Sequence, residues 1–242
     1  MLQDRKILKV SARPANLVAR KSQPIPLAVC SHERSGTHFT MNSIAGCSEY
    51  VSKPWINFDI DPLGGLINFA SQQSVAKFIK NMASLKFKGS RYGAASIIKG
   101  HYPAWVFEQA VKGRLNVIYV HRNPVDVFLS YWNFLNAINT VQFEGPSLDS
   151  PDALCQAKPA GRSMRYQLDT FDTYFDRWAN HVTGWTRLAA QAKNVYAVQY
   201  EDLFENHSQE VEKICTSLGI KMKRKVRRPD PTKNVIKRFR EK

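Results

Sequence analysis

The chain has 242 residues, 43% hydrophobic and 11% aromatic, enough for one sizeable core and suited to a single α/β domain. Its four cysteines, Cys30, Cys47, Cys155 and Cys215, form no CxxC pair; this excludes a zinc ribbon or dithiol motif and predicts structural thiols in a reducing compartment. The net charge of +15 sits at the ends, with +5 in residues 1–21 and +9 in 221–242, so that 22–220 is nearly neutral.

No run of about 18 apolar residues predicts a transmembrane helix. The basic N-terminus lacks the apolar stretch of a secretory signal, although its Arg-rich, acid-poor character is shared with transit peptides. A cytoplasmic location is the expectation. Pro24-Ile25-Pro26 separates a basic N-terminal arm, 1–24, from a domain over 25–220. A basic C-terminal tail, 221–242, follows. Such basic segments contact polyanions or remain solvated.

In chain order, Leu27–Cys30 reads as a short strand and Ser31–Thr37 as a polar loop. Phe39, Met41, Ile44 and Ala45 then recur at helical spacing. Strand, tight loop and helix aim backbone N–H groups and a positive dipole end at the loop. A second strand, Ser96–Lys99, ends at Gly100-His101-Tyr102-Pro103. A third, Leu115–Val120, is rich in β-branched residues and runs into His121-Arg122-Asn123-Pro124 and a helix over 125–137. Residues 140–165 hold Gly145, Pro146, Pro151, Pro159 and Gly161 and predict an irregular insertion. Trp178, His181 and Trp185 share one helical face, a packing stripe. A fourth strand, Val195–Val198, ends at Gln199-Tyr200-Glu201-Asp202, and a helix near 209–218 stops at Gly219.

Strands alternating with helices predict a single α/β domain. Its parallel central sheet is flanked by helices in three layers, like P-loop nucleotide-binding folds. Ligands of such sheets lie at the carboxyl ends of the strands. Those ends collect Arg34 with its loop, Lys99 with His101, Arg122, and Tyr200. The expected ligand is therefore anionic and partly planar. Arg34-Ser35-Gly36-Thr37 is not a Walker A loop, since Gly36 is its only glycine.

Three blocks resemble the sulfotransferases that use 3′-phosphoadenosine 5′-phosphosulfate (PAPS), the soluble kind most closely. Arg34-Ser35-Gly36-Thr37-His38-Phe39 is similar to the family's 5′-phosphosulfate loop. Ile118 through Val127, with Ser130 and Tyr131, resembles its 3′-phosphate block. Lys99-Gly100-His101-Tyr102-Pro103 resembles the segment that carries the catalytic histidine. Trp178–Trp185 and Tyr200-Glu201-Asp202-Leu203 match further family segments, so the resemblance runs from about 27 to 220. It implies PAPS as co-substrate, 3′-phosphoadenosine 5′-phosphate (PAP) as product, and no metal. It also implies a small-molecule or glycan acceptor, with Trp55, Phe58, Tyr102, Trp105 and Phe134 as aromatic surface near the site.

The residue roles follow from the resemblance. Arg34 and the backbone of Ser35, Gly36, Thr37 and His38 would hold the 5′-phosphosulfate. Phe39 and Tyr200 would meet adenine, and Arg122 with Ser130 would hold the 3′-phosphate. His101 would act as general base and Lys99 would steady the bridging oxygen. One departure stands out: the family's late Arg-Lys-Gly segment is missing, and Lys221–Arg228 is the stretch that would supply replacement cations. Two alternatives stay open, a nucleotide-dependent phosphotransferase on the same scaffold and a non-catalytic, PAP-binding basic adaptor.

Overall fold

The computed structural model describes residues 24–57, 71–83, 95–140 and 143–230. Nearly all of the basic arm, the end of the basic tail and Phe58 lie outside the described residues, as does the side chain of Trp55.

The described strands form one parallel sheet. They are β1 (Leu27–Cys30), β2 (Val51–Asn57), β3 (Ser96–Gly100), β4 (Asn116–His121) and β5 (Val195–Gln199), in the spatial order β2-β3-β1-β4-β5. The helices are α1 (Thr37–Cys47), α2 (Gln72–Ala83), α3 (Ala104–Lys112), α4 (Pro124–Ile138), α5 (Pro151–Gln156), α6 (Tyr174–Gln191), α7 (Tyr200–Glu205) and α8 (His207–Ser217).

β1 and β4 read as continuous apolar runs because both faces are covered, as parallel strands require. Ala28, Cys30, Ile98, Val117 and Tyr119 face one core, with Phe107 of α3 and Trp185 of α6. Leu27, Val29, Ile97, Ile118 and Val120 face the other, with Ile44 of α1 and Ile214 of α8. The chain leaves β1 toward one edge of the sheet and leaves β4 toward the other. The carboxyl ends of these neighbouring strands therefore flank the crevice where such sheets take ligands.

Two expectations need correction. The stretch 140–165 is not simply irregular. Ser150 caps α5 by accepting from Ala153 N, with Pro151 in the first turn, and a 3₁₀ turn spans Gly161–Tyr166. Pro151 and Gly161 there open helical turns rather than mark absence of structure. Tyr200 directly follows β5, as expected, and also opens α7, and the helix expected near 209–218 begins at His207. Tyr102 offers no aromatic surface, because its ring is fully buried, with Tyr166 edge-on at 5.6 Å; the Trp185 indole N–H donates to the Tyr102 backbone carbonyl at 3.0 Å. The stripe of α6 packs as expected, with Trp185 and His181 buried.

Candidate active site

The loop between β1 and α1 is the centre of the site. Arg34 and Gly36 both take positive φ, 67° and 96°, and so curl the loop in the manner of backbone anion nests. Gly36 is the N-cap of α1. No side chain caps this helix and its first turn holds no acidic residue, so the N–H groups and the positive dipole end remain for an outside anion. The Ser35 hydroxyl is buried without a hydrogen-bond partner, and so is Nε2 of His38. Buried polar atoms are rarely left unmatched, and these two lie where the helix end calls for an anion.

Gly36 is also fixed by a neighbour. A Cβ there would stand 2.2 Å from Cδ2 of Tyr200. Gly36→Ala combines left-handed strain, about 1–2 kcal/mol, with displacement of the Tyr200 ring. Thermal denaturation should show a midpoint lowered by roughly 2–4 °C per kcal/mol lost. An unchanged midpoint would mean that the loop relaxes freely.

β3 delivers the next two groups. Lys99 pairs in register with Val29 and is half-buried. His101 follows the strand and is buried. Its Nδ1 lies 2.9 Å from the Ser31 carbonyl. A carbonyl can only accept, so Nδ1 carries the proton and Nε2 the lone pair. Tyr166 meets the ring edge-on at 5.0 Å. Burial, then the Lys99 ammonium, lowers the His101 pKa to about 3, against smaller raising effects of Glu33 and the Ser31 carbonyl. The imidazole is thus neutral at neutral pH. His38 is lowered to about 4, by burial and then by Lys99 and Arg34.

Arg34 donates from Nε to Ser130 Oγ at 3.2 Å and lies 4.9 Å over the Phe134 ring. Ser130, expected beside Arg122, is thus tied to the first loop. Arg122 lies 4.9 Å over the Tyr200 ring. It stands 3.6 Å from Asp126 and 4.0 Å from Glu201, too far for good hydrogen bonds. Its Nε is buried without a hydrogen-bond partner. Phe39 is buried against Tyr200, Phe204 and His207, so Tyr200 and the exposed Phe204 present more ring surface than Phe39. Arg228 lies 4.3 Å over Phe204.

Behind the loop lies a buried network that the sequence did not disclose. Glu33 accepts two bonds from Arg177 Nη2, at 2.7 and 2.8 Å, and Arg177 Nη1 donates to His32 Nε2 at 3.2 Å. His32 Nδ1 donates to the Glu33 carbonyl at 3.1 Å. Tyr119 and His181 are hydrogen-bonded at 3.1 Å beside it. No local spacing signals a pair 144 positions apart.

A parallel α/β sheet thus brings Arg34, Lys99 and two neutral histidines to an uncapped helix end, with Arg122 at the end of the neighbouring strand. The family model for the sulfotransferase domain matches residues 26–240, and the chain belongs to the sulfotransferase family. Among curated relatives, the guinea-pig (Cavia porcellus) 3-alpha-hydroxysteroid sulfotransferase is 30% identical over 142 residues, 58% of this chain and 42% of the relative. Dog (Canis lupus familiaris) sulfotransferase 1A1 is 28% identical over 127 residues, 52% of this chain and 38% of the relative. The chain thus spans about two fifths of the length of these relatives. The fold is shared with mouse sulfotransferase SULT7A1 complexed with PAP, with a TM-score of 0.51 at 20% identity over 81% of this chain and 58% of that one. It is shared as well with a sulfotransferase from Alicyclobacillus acidocaldarius, with a TM-score of 0.51 at 14% identity over 89% of this chain and 88% of that one. No helix among the described residues is long and apolar enough to cross a membrane.

Proposed function

We propose that this chain is a sulfotransferase that moves a sulfuryl group from PAPS to an acceptor hydroxyl or amine, with 25–220 as its catalytic unit. One observation carries the reading most directly. The uncapped N-terminus of α1, with the partnerless Ser35 hydroxyl, faces a cluster of Arg34, Lys99, His38 and His101. A buried, partnerless hydroxyl at an uncapped helix end favours an anionic guest, and a phosphosulfate fits.

In this reading the Ser35–His38 backbone and Arg34 hold the 5′-phosphosulfate, the arginine as a planar fork suited to oxyanions. Arg122 holds the 3′-phosphate. Its loose contacts with Asp126 and Glu201 orient the guanidinium without saturating it. Tyr200, Phe204 and Phe39 offer the aromatic wall for adenine. Arg228, over Phe204 as Arg122 is over Tyr200, supports the idea that Lys221–Arg228 supplies cations to this nucleotide site. That segment is already docked: the backbone N–H groups of Lys223 and Arg224 donate to the Cys47 carbonyl, and Lys223 pairs with Glu49 at 3.2 Å.

The chemistry is an in-line displacement at sulfur. His101 Nε2 takes the acceptor's proton as the acceptor oxygen forms its bond to sulfur. The bond from sulfur to the bridging oxygen breaks with its electron pair leaving on the phosphate, where Lys99 meets the developing charge. As in phosphoryl transfer, positioning and charge stabilisation do most of the work. The half-buried Phe134 and the partly exposed Trp105 suit an apolar alcohol or phenol as acceptor.

Calorimetric titration with PAP, with ATP as control, tests the donor site. Micromolar or tighter binding of PAP in preference to ATP is expected. Arg122→Ala should weaken PAP binding by about 1.5–3 kcal/mol, the range for one charge-assisted contact. Unchanged affinity would remove Arg122 from the site. PAP binding without turnover on any acceptor would favour the adaptor reading. Turnover that depends on ATP and Mg²⁺ would favour the phosphotransferase.

A further inference from the structure

His38 has no part in the mechanism above beyond its backbone N–H. Its side chain, however, stands at a place where unmatched groups converge. It occupies the first turn of α1, whose N-cap, Gly36, carries no side-chain cap. Its Nε2 is buried without a partner. Next to it in the loop, Ser35 is fully buried and its hydroxyl also lacks a partner. An imidazole nitrogen and a hydroxyl left open together, beside an uncapped helix end, point to a common guest with several acceptor oxygens.

The charges around His38 come from two neighbouring elements. Arg34 reaches it from the loop before α1, and Lys99 from β3. His101, just past β3, also interacts with it. No acidic side chain lies in the first turn of α1. In the free protein burial, and then these cations, keep the imidazole uncharged, with a pKa of about 4. A polyanion at the helix end reverses the balance, since an opposite charge within a few ångströms favours the protonated form. The partnerless Nε2 is then the natural place for the incoming proton, as a second donor toward an anionic oxygen.

We propose that the His38 side chain is a direct ligand of the donor's 5′-phosphosulfate, entering the site neutral and taking one proton from solvent as the anion binds, so that donor binding is linked to pH. The inference rests on the donor-site reading above. It assigns a titrating side chain to a subsite otherwise built from backbone N–H groups and Arg34. The sign follows from linkage. Because the complex holds more protons than the free protein, affinity rises as pH falls toward the free-state value of about 4.

The test is calorimetric titration with PAP in two buffers of different ionisation enthalpy, at about pH 6 and about pH 8, which reads the protons taken up on binding. The wild-type chain is compared with His38→Thr and, in case that variant folds poorly, His38→Gln. Protons taken up by PAP's own phosphates are common to all, so the difference isolates His38. Wild type should take up a larger fraction of a proton at the lower pH. Its affinity advantage over either variant should grow by about threefold to tenfold between the two conditions, up to one pKa unit of linkage. PAP binding with equal proton uptake and parallel pH profiles would overturn the role of His38 and leave the donor site standing. Failure of folded wild-type protein to bind PAP at either pH would overturn the donor site, and this proposal with it.

Discussion

His101→Ala is expected to slow turnover by roughly 10²- to 10⁴-fold, the usual contribution of a positioned general base, and to leave PAP affinity nearly unchanged. The geometry gives the reason. The Ser31 carbonyl fixes the proton on Nδ1, so Nε2 is ready to accept without any tautomer change. Ser31 is in turn held to the end of β3 by its own N–H, which donates to the Gly100 carbonyl at 3.1 Å. The base is therefore positioned by the same strand ends that build the donor loop. Because His101 is buried, alanine also opens a cavity, and His101→Asn is the companion variant that keeps more of the volume. With the free-state pKa near 3, lowering the pH from about 8 to about 6 should not protonate this base, in contrast to a solvated histidine at about 6.5. Steady-state kinetics on PAPS and an apolar phenol, with PAP titration alongside, reads both quantities. Full activity in both variants would remove His101 from the chemistry. Equal loss of binding and turnover would make it a structural residue of the donor loop.

The parts of this fold that were legible in the sequence are those whose reasons are local. β1, β3, β4 and β5 are short apolar runs, and the loop after each is polar, so each strand end announced a candidate group. β2 escaped notice because Val51–Asn57 carries Ser52, Lys53 and Pro54. A sheet tolerates these at its edge, where β2 lies, since an edge strand need not donate on its outer side. α3 left a readable signal in Val106, Phe107, Ala110 and Val111, all buried at helical spacing. The motif residues were likewise visible one by one. What the sequence could not show was how they pair. Ser130 is eight positions from Arg122 yet bonds to Arg34, 96 positions away. Tyr166, just past the supposed irregular insertion, packs on His101. Such pairings depend on how layers close over one another, and no periodicity encodes that.

The same limit applies to the Glu33–Arg177 pair, and it yields the largest expected effect on stability. Both side chains are buried and doubly hydrogen-bonded. Burial alone would push the Glu33 carboxyl up, but Arg177, His32 and His101 outweigh it and hold the group well below the usual carboxylate range. Glu33→Ala leaves the Arg177 guanidinium buried without its counter-charge, which typically costs about 3–5 kcal/mol, a large share of the total for most domains. The melting midpoint should fall by roughly 2–4 °C for each kcal/mol lost. The double variant Glu33→Met, Arg177→Met should recover most of the loss, since no unpaired charge then remains. The pH dependence has a definite sign. A depressed carboxylate pKa stabilises the fold above the unfolded value of about 4.3 and is lost only as pH falls through the lower folded value. Glu33 is therefore not the group that fails first on mild acidification. His32 is lowered to about 4, by burial foremost, and stays neutral in the fold while the unfolded chain protonates near 6.5, so stability should start to decline below that pH. Removing Glu33 also removes a charge that raises the His32 value, and the decline should then continue to lower pH. Denaturant unfolding of the single and double variants across this range measures both effects. A single variant that loses under about 1 kcal/mol, the range of an exposed pair, would show that solvent reaches Arg177 and that the network does not brace the loop carrying Arg34.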